Sequence, residues 1–181
     1  MEIKEINTSD IQTIFSWKYP TPYQQYDMPS LEVAKEQGYA ILDPAKQHVF
    51  HTLYREDACV GYFRSYQIGD KTYLGIGLAP SYCGKGIGKE ALHEILLYYA
   101  KDLRELYLEV DFHNIRAIKC YRECGFLLTQ LYQKKTSAQT MRTYLQMRFT
   151  FYLLQYKYLI KDIAIVLRTG IYILFSLLYR N

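Results

Sequence analysis

Apolar and polar residues alternate with two different periods along the chain, and each change of period marks a predicted element. Alternation at every second residue, in segments rich in aromatic and β-branched side chains, is typical of strands. It predicts strands over residues 2–6, 48–55, 60–66, 71–78, 105–112, 126–134 and 141–149. Apolar residues at helical spacing predict helices over residues 11–19, 31–37, 86–103 and 114–124. This order of elements predicts an α/β (α+β) fold around one sheet.

Residues with short polar side chains mark the starts of the first two helices. Ser9 and Asp10 are suited to cap the first helix, and Pro20 follows its predicted end. Ser30 is the predicted start of the second helix, and Gly38 its predicted stop.

The end of the chain differs in composition from the rest. Residues 150–181 hold four Lys or Arg and one Asp, so most of the net charge of +4 lies there, among mainly apolar residues. We therefore predict a domain over residues 1–149 and a hydrophobic, basic tail over residues 150–181. Four roles fit this tail: an interfacial membrane helix, two helices packed on the domain, a homodimer arm, or an out-of-frame extension without a selected role. Arg168 interrupts its longest apolar run, which counts against a membrane span.

Charge and cysteine content exclude several classes of protein. A net charge of +4 over 181 residues does not indicate a nucleic-acid groove. Four cysteines without metal-finger spacing do not form a disulfide scaffold. His48 and His51 face opposite sides of a predicted strand, so we expect no metal site. The first ten residues are polar and do not resemble a secretory signal, so we expect a cytoplasmic protein.

A glycine-rich loop joins a predicted strand to a predicted helix. Its glycines, Gly84, Gly86 and Gly88, stand at every second position and can point successive N–H groups at one spot. The start of the following helix adds a partial positive charge, which suits a pyrophosphate. The alternative is a plain tight turn. The spacing fits neither a P-loop nor a dinucleotide fingerprint.

A second segment gives this loop a context. Asn114 follows the fifth predicted strand, and Ala117, Tyr121, Gly125 and Phe126 come after it at fixed offsets. Together with the loop, this pattern resembles the GNAT superfamily of acetyl-CoA-dependent N-acetyltransferases over roughly residues 1–149. The resemblance implies a central, mixed, mostly antiparallel sheet of six to seven strands flanked by helices. It also implies acetyl-CoA as co-substrate and no metal.

The resemblance assigns the binding of acetyl-CoA to two stretches of backbone. The pantetheine arm would pair with the fourth strand at Ile76, Gly77 and Leu78, and the Leu78 amide would polarise the thioester carbonyl. The pyrophosphate would bind at the loop formed by Cys83, Gly84, Lys85, Gly86, Ile87 and Gly88. The family has Gln or Arg where this chain has Cys83, a position expected to contribute mainly its backbone N–H. Lys85 and Lys89 either supply a cation in its place or are a solvated helix start.

The resemblance also assigns the proton transfers. Tyr121 stands where the family places the residue facing the sulfur, and a phenol is a reasonable acid for a thiolate. Asn114 would bond the pantetheine amide, cap its helix, or do both. Glu109 is the candidate base, acting directly or through water. Its position before Tyr121 is similar to that in the branch that acetylates N-terminal alanines of ribosomal proteins. The alternative is a surface glutamate at a sheet edge.

The sequence gives the least information about the acceptor. The connection between the first two helices carries four aromatic residues and one acid: Trp17, Tyr19, Tyr23, Tyr26 and Asp27. These side chains either bind an amine or cover the sheet. We expect a protein or peptide amine. The alternatives are a small amine such as an aminoglycoside or polyamine, and a non-catalytic acyl-CoA-binding module.

Overall fold

The computed structural model describes residues 1–135 and 140–151 of the chain. Its strands are β1 (Glu2–Glu5), β2 (Phe50–Arg55), β3 (Ala58–Ile68), β4 (Lys71–Leu78), β5 (Glu105–Asp111), β6 (Leu127–Lys135) and β7 (Met141–Thr150). Its helices are α1 (Thr8–Ser16), α2 (Leu31–Glu36), α3 (Ile87–Tyr99) and α4 (Ile115–Glu123). Every predicted strand and helix is therefore present, with shifts at some ends.

The seven strands form one sheet in the order β1-β2-β3-β4-β5-β7-β6. All neighbours run antiparallel except β4 and β5, which are parallel. A parallel pair needs a crossover connection, and α3 supplies it between β4 and β5. The prediction of a mixed, mostly antiparallel sheet flanked by helices is confirmed.

Two apolar clusters cover the two faces of the sheet. The larger cluster joins α3 to the strands, with Leu53, Phe63, Ile95 and Leu106 at its centre. The smaller cluster joins α1 and α2 to the opposite face, where Phe50 of β2 is buried. Phe50 and Leu53 are three residues apart on one strand, so the pleat directs them to opposite sides. Burial on both sides fixes the register of the central strands.

The start and the end of α1 differ from the prediction. Its N-cap is Asn7, whose side chain accepts from the Asp10 amide at 3.0 Å, while Asp10 accepts from the Asn7 amide at 3.1 Å. This reciprocal capping box satisfies two helix-end donors, and Ser9 lies inside the helix. The helix ends at Ser16 rather than at Tyr19, because the Tyr19 amide donates to Asp27 at 2.8 Å instead.

Two other boundaries also moved. Residues 44–49 form a 3-10 turn that Pro44 starts and the Asp43 side chain caps, so β2 begins at Phe50 rather than at residue 48. Helix α3 ends at Tyr99 rather than near residue 103, and a turn follows in which the Asp102 amide donates to the Tyr99 carbonyl at 3.1 Å.

Strand β7 passes the predicted end of the domain. It includes Thr150, and the next residue, Phe151, is buried with its ring 5.0 Å from that of Phe149. Residues 150 and 151 therefore belong to the sheet and its core. Residues 152–181 lie outside the described residues, and the four roles of the tail remain predictions. Within the described ranges, no helix combines the length and apolar character that crossing a membrane requires.

Candidate active site

The sheet is split between its two parallel strands. Strands β4 and β5 share a single backbone pair, Tyr73 with Tyr107. The Tyr73 hydroxyl also accepts a hydrogen bond from Gln146 of β7 at 2.6 Å, which closes the narrow end of the split. Beyond this point the two strands diverge and open a cleft of about 1230 Å³. The volume of the cleft is large enough for a small-molecule or cofactor ligand.

The open edge of β4 presents backbone groups to this cleft. Antiparallel neighbours alternate between pairs that exchange hydrogen bonds and pairs that do not. Ala79 donates to the Val60 carbonyl at 2.9 Å, so the alternation directs the N–H and C=O of Gly77 to β3. Ile76 and Leu78 direct theirs to the cleft instead. Of the predicted trio, only these two can pair with a ligand through the backbone.

Gly77 serves the site through its lack of a side chain. A Cβ at this position would lie 2.5 Å from the Tyr62 ring, so only glycine lets that ring lie over the strand. The Tyr19 hydroxyl donates a hydrogen bond to the Leu78 carbonyl at 2.8 Å. Burial, and to a smaller extent Tyr62, raises the pKa of Tyr19, so this hydroxyl remains protonated and a hydrogen-bond donor. The Leu78 amide stays open to the cleft.

The glycine loop has the geometry of an anion site. Gly84 and Gly86 have φ values of 75° and 83°, in the left-handed region that favours glycine. Among the hydrogen bonds within residues 1–135 and 140–151, none uses an amide of residues 84–88 as donor. The last two of these amides open α3, where the helix end adds partial positive charge. This stretch of five amides borders the cleft at Gly84, Gly86 and Gly88.

Cys83 differs from its predicted role. Its amide donates to the Pro80 carbonyl at 3.2 Å, and its thiol donates to the Ala79 carbonyl at 3.6 Å. The residue therefore closes the turn before the loop, and its N–H is not free for a phosphate. Lys89 forms an ion pair with Glu123 of α4, which leaves Lys85 as the loop lysine without an ion pair among the described residues.

The close packing around residue 88 explains why the third glycine of the loop is needed. A Cβ here would lie 3.1 Å from the Cys120 sulfur and 3.3 Å from a methyl group of Leu78. The glycine therefore lets α3 approach both α4 and the end of β4. Cys120, which this approach places against the loop, is a free thiol in the cleft wall.

Tyr121 lies on α4 and lines the same cleft. Asn114 caps this helix by accepting from the Ala117 amide at 3.2 Å, as predicted for its capping role. Burial, with smaller effects of Cys120 and Tyr26, raises the pKa of Tyr121 above the ordinary value of about 10. The phenol is therefore protonated at neutral pH and can act as a proton donor.

Glu109 lies on the central strand β5, not at a sheet edge. Its side chain lines the cleft and is 18% exposed. Tyr132 and Lys134, both on β6, donate to its two carboxylate oxygens. Burial is the largest cause of the raised pKa of Tyr66 and of Tyr73, and the negative charge of Glu109 is the next. The carboxylate is thus held in one orientation at the edge of a group of phenols.

Several residues of the site were not predicted. Asp111, two positions after Glu109 and on the same face of β5, has a side chain only 4% exposed. Arg142 donates to Asp111 at 3.3 Å and to Gln25 at 2.6 Å. Alternation along β5 could have indicated Asp111, whereas nothing in the local sequence places Arg142 beside it.

The aromatic connection after α1 is divided between the cleft and its surroundings. Tyr19 and Tyr26 line the cleft, and the Tyr26 hydroxyl is buried there without a hydrogen-bond partner in the described chain. Trp17 packs against Tyr62, and Tyr23 lies under the Arg116 guanidinium, 4.1 Å from its ring centre. Within residues 1–135 and 140–151, no group of His, Cys, Asp or Glu side chains could hold a metal ion.

Comparison with known proteins decides the family. The model of the acetyltransferase (GNAT) family matches residues 8–126. The chain belongs to the GNAT family. It is therefore an acyltransferase of a family that uses acetyl-CoA. No curated protein sequence matches the chain.

Solved structures share this GNAT fold at low sequence identity. A chimeric spermidine N-acetyltransferase from Vibrio cholerae and hSSAT is 18% identical, with a TM-score of 0.64, over 84% of this chain and 97% of that one. The ribosomal-protein-S18-alanine N-acetyltransferase from Escherichia coli is also 18% identical, with a TM-score of 0.58, over 83% and 93%. The aminoglycoside acetyltransferase AAC(6')-Ib, in complex with coenzyme A, is 19% identical, with a TM-score of 0.64, over 82% and 93%.

Proposed function

We propose that this GNAT protein transfers the acetyl group of acetyl-CoA directly to a primary amine. The observation that carries the proposal is two groups of open backbone donors along one cleft, Ile76 and Leu78 on β4 and residues 84–88 at the loop. A pantetheine arm can pair with the first group, and a pyrophosphate with the second. The structure of AAC(6')-Ib with coenzyme A supports the same ligand class for the fold.

The reaction needs two proton transfers and no covalent enzyme intermediate. The amine nitrogen attacks the thioester carbonyl, whose developing negative charge the Leu78 amide stabilises. The C–N bond forms, the C–S bond breaks, and the electron pair leaves with the sulfur. Tyr121 gives its proton to that sulfur and regains one from solvent, which its protonated state at neutral pH allows.

Glu109 is the proposed base for the incoming amine. It lines the cleft on β5, and its hydrogen bonds to Tyr132 and Lys134 fix the orientation of the carboxylate. Each oxygen accepts one hydrogen bond and keeps a further acceptor site, and a water molecule between Glu109 and the amine is the proposed carrier of the proton. Asn114 is proposed to bond the pantetheine amide while capping α4.

We propose a peptide or protein amine as the acceptor. Spermidine and aminoglycosides carry several positive charges, and an acidic cleft would favour them. Here Lys134 pairs with Glu109, and Arg142 hydrogen-bonds Asp111, so neither carboxylate offers a free negative charge. This observation favours a peptide amine over a polycation.

Release of CoA from acetyl-CoA in the presence of a panel of amines tests the activity. The wild-type protein should release CoA with a peptide amine, and Glu109→Gln should reduce the rate near neutral pH. The matched control is Glu105→Gln, because Glu105 lies on the same strand, bonds Tyr107 at 2.6 Å and Arg148 at 2.9 Å, and does not line the cleft. Equal rates for the two variants would contradict the role of Glu109, and no release with any amine would contradict the proposed activity.

A further inference from the structure

Positive charge exceeds negative charge in the lining of the cleft once the Lys89–Glu123 pair at the loop is set aside. The remaining cations are Arg116 and Lys119 of α4, Lys134 and Lys135 of β6, and Arg142 of β7, and the remaining carboxylates are Glu109 and Asp111 of β5. The pairs across β5, β7 and β6 bring the strand residues of this set together from separate parts of the sequence.

Both carboxylates are used within the protein. Glu109 accepts from Tyr132 and Lys134. Asp111 accepts from the His113 amide at 2.8 Å and from Arg142 at 3.3 Å, and its side chain is almost completely buried. An acceptor with several positive charges would have to displace Lys134 or Arg142 before it met a negative group.

Arg116 and Lys135 differ from Lys134 and Arg142 in their surroundings. Neither Arg116 nor Lys135 makes an ion pair within the described residues; Arg116 covers the Tyr23 ring at 4.1 Å, and Lys135 is exposed at the rim. Residues 136–139, which follow Lys135 in the sequence, are Thr, Ser, Ala and Gln and carry no charge. Within the described chain, an anionic group on a ligand would therefore have no carboxylate to displace from either side chain.

A basic surrounding also helps the chemistry of an amine. Only the uncharged amine can attack, and neighbouring positive charges disfavour the ammonium form. An α-amine, with an ordinary pKa of about 7.7–8.0, needs much less help than a lysine side chain near 10.4. Acidic groups on the acceptor, beyond its amine, would then supply the binding energy that the ammonium cannot.

We propose that the acceptor is an α-amine with carboxylates close to it, as at a peptide N-terminus followed by acidic residues, and that Lys135 and Arg116 bind those carboxylates. This proposal rests on the acetyl transfer proposed above and specifies its substrate class. A free acidic amino acid offers the same chemistry in a smaller molecule, and the two sources can be separated by experiment.

The test compares acceptors of different charge. Three peptides begin with the same alanine and continue with Asp-Glu, Ser-Gln or Lys-Arg, and free aspartate and spermidine complete the set. We expect kcat/KM for the acidic peptide to exceed that for the basic one at least about tenfold, with the difference falling as salt screens it. If kcat/KM for free aspartate equals that for the acidic peptide, the free amino acid is the source of this chemistry.

Reversing the charge of Lys135 at the rim is the second part of the test. Lys135→Glu should raise KM for the acidic peptide about tenfold with kcat nearly unchanged, and should raise kcat/KM for the basic peptide. Lys101→Glu, at the exposed turn after α3 and outside the cleft, makes the same charge change and should alter neither. If kcat/KM of the wild-type protein for the basic peptide equals or exceeds that for the acidic peptide, the proposal is overturned while the proposed acetyl transfer stands. No CoA release with any acceptor would instead contradict the proposed function.

Discussion

Gly86 allows the proposed phosphate site to be tested with a single charge. It is the N-cap of α3, its φ is 83°, and a Cβ there would meet no atom within 4 Å. A side chain at this position is therefore tolerated sterically but costs about 1–2 kcal/mol in backbone strain. Gly86→Asp adds a carboxylate among the five open amides, whereas Gly86→Asn adds the same shape without the charge.

The expected difference between these two variants follows from electrostatics. Asn and Asp tolerate the left-handed region similarly, so their backbone costs largely cancel. A carboxylate about 4 Å from one phosphate charge is repelled by about 1 kcal/mol in bulk water and about 4 kcal/mol near a protein surface. For a pyrophosphate with two charges at this open loop, about 2.7 kcal/mol is a moderate value, which corresponds to a loss of about 100-fold in affinity.

Calorimetric titration of acetyl-CoA into each folded variant measures this difference. Gly86→Asn should bind acetyl-CoA within about tenfold of the wild type, and Gly86→Asp about 100-fold more weakly than Gly86→Asn. Circular dichroism and thermal melting establish that both variants are folded. If the two variants bound acetyl-CoA equally, the pyrophosphate would not lie at residues 84–88.

Four further predictions concern the proton transfers and the tail. Tyr121→Phe should lower kcat by about 100-fold or more and leave acetyl-CoA affinity nearly unchanged, while Tyr98→Phe, on the exposed side of α3, serves as control. Because burial raises the pKa of Tyr121, loss of its proton should not reduce wild-type kcat between about pH 7 and 9; a fall that Tyr121→Phe abolishes would contradict this. Glu109→Gln should lose most activity near pH 7 and regain part of it at about pH 9–10, where solvent supplies free amine; a wild-type pH profile would assign the base to another group. Truncation after Phe151 should leave acetyl-CoA binding unchanged, and loss of folding would show that residues 152–181 belong to the core.

The parts of the fold that depend on local pattern were predictable. Strand β4 has the bounds that alternation gives, and the loop from Cys83 to Gly88 was found because glycine spacing is a local property. Boundaries moved where a distant group competed for the backbone. Asp27 takes the Tyr19 amide, and α1 ends at Ser16, before the stop that Pro20 predicts.

The acceptor half of the site depends on contacts between distant segments. Asp111 and Arg142 are far apart in sequence and meet because β5 and β7 are neighbours in the sheet. Lys134 reaches Glu109 across β7 from β6. Such contacts follow from strand order and register, which a single sequence does not specify, and this is why Glu109 was predicted without its partners.

The sheet is joined across its middle by the single backbone pair of Tyr73 and Tyr107. Proteins open locally in cooperative units, and here two such units are expected: β1 to β4 on one side, and β5, β7 and β6 on the other. Without acetyl-CoA, the amides of these halves should exchange hydrogen with solvent at separate rates. A pantetheine arm bonded to β4 and touching α4 would link the halves into one unit and raise the free energy of unfolding. The co-substrate would then also be a structural member of the sheet, and resistance to proteolysis would follow the acetyl-CoA concentration around the enzyme.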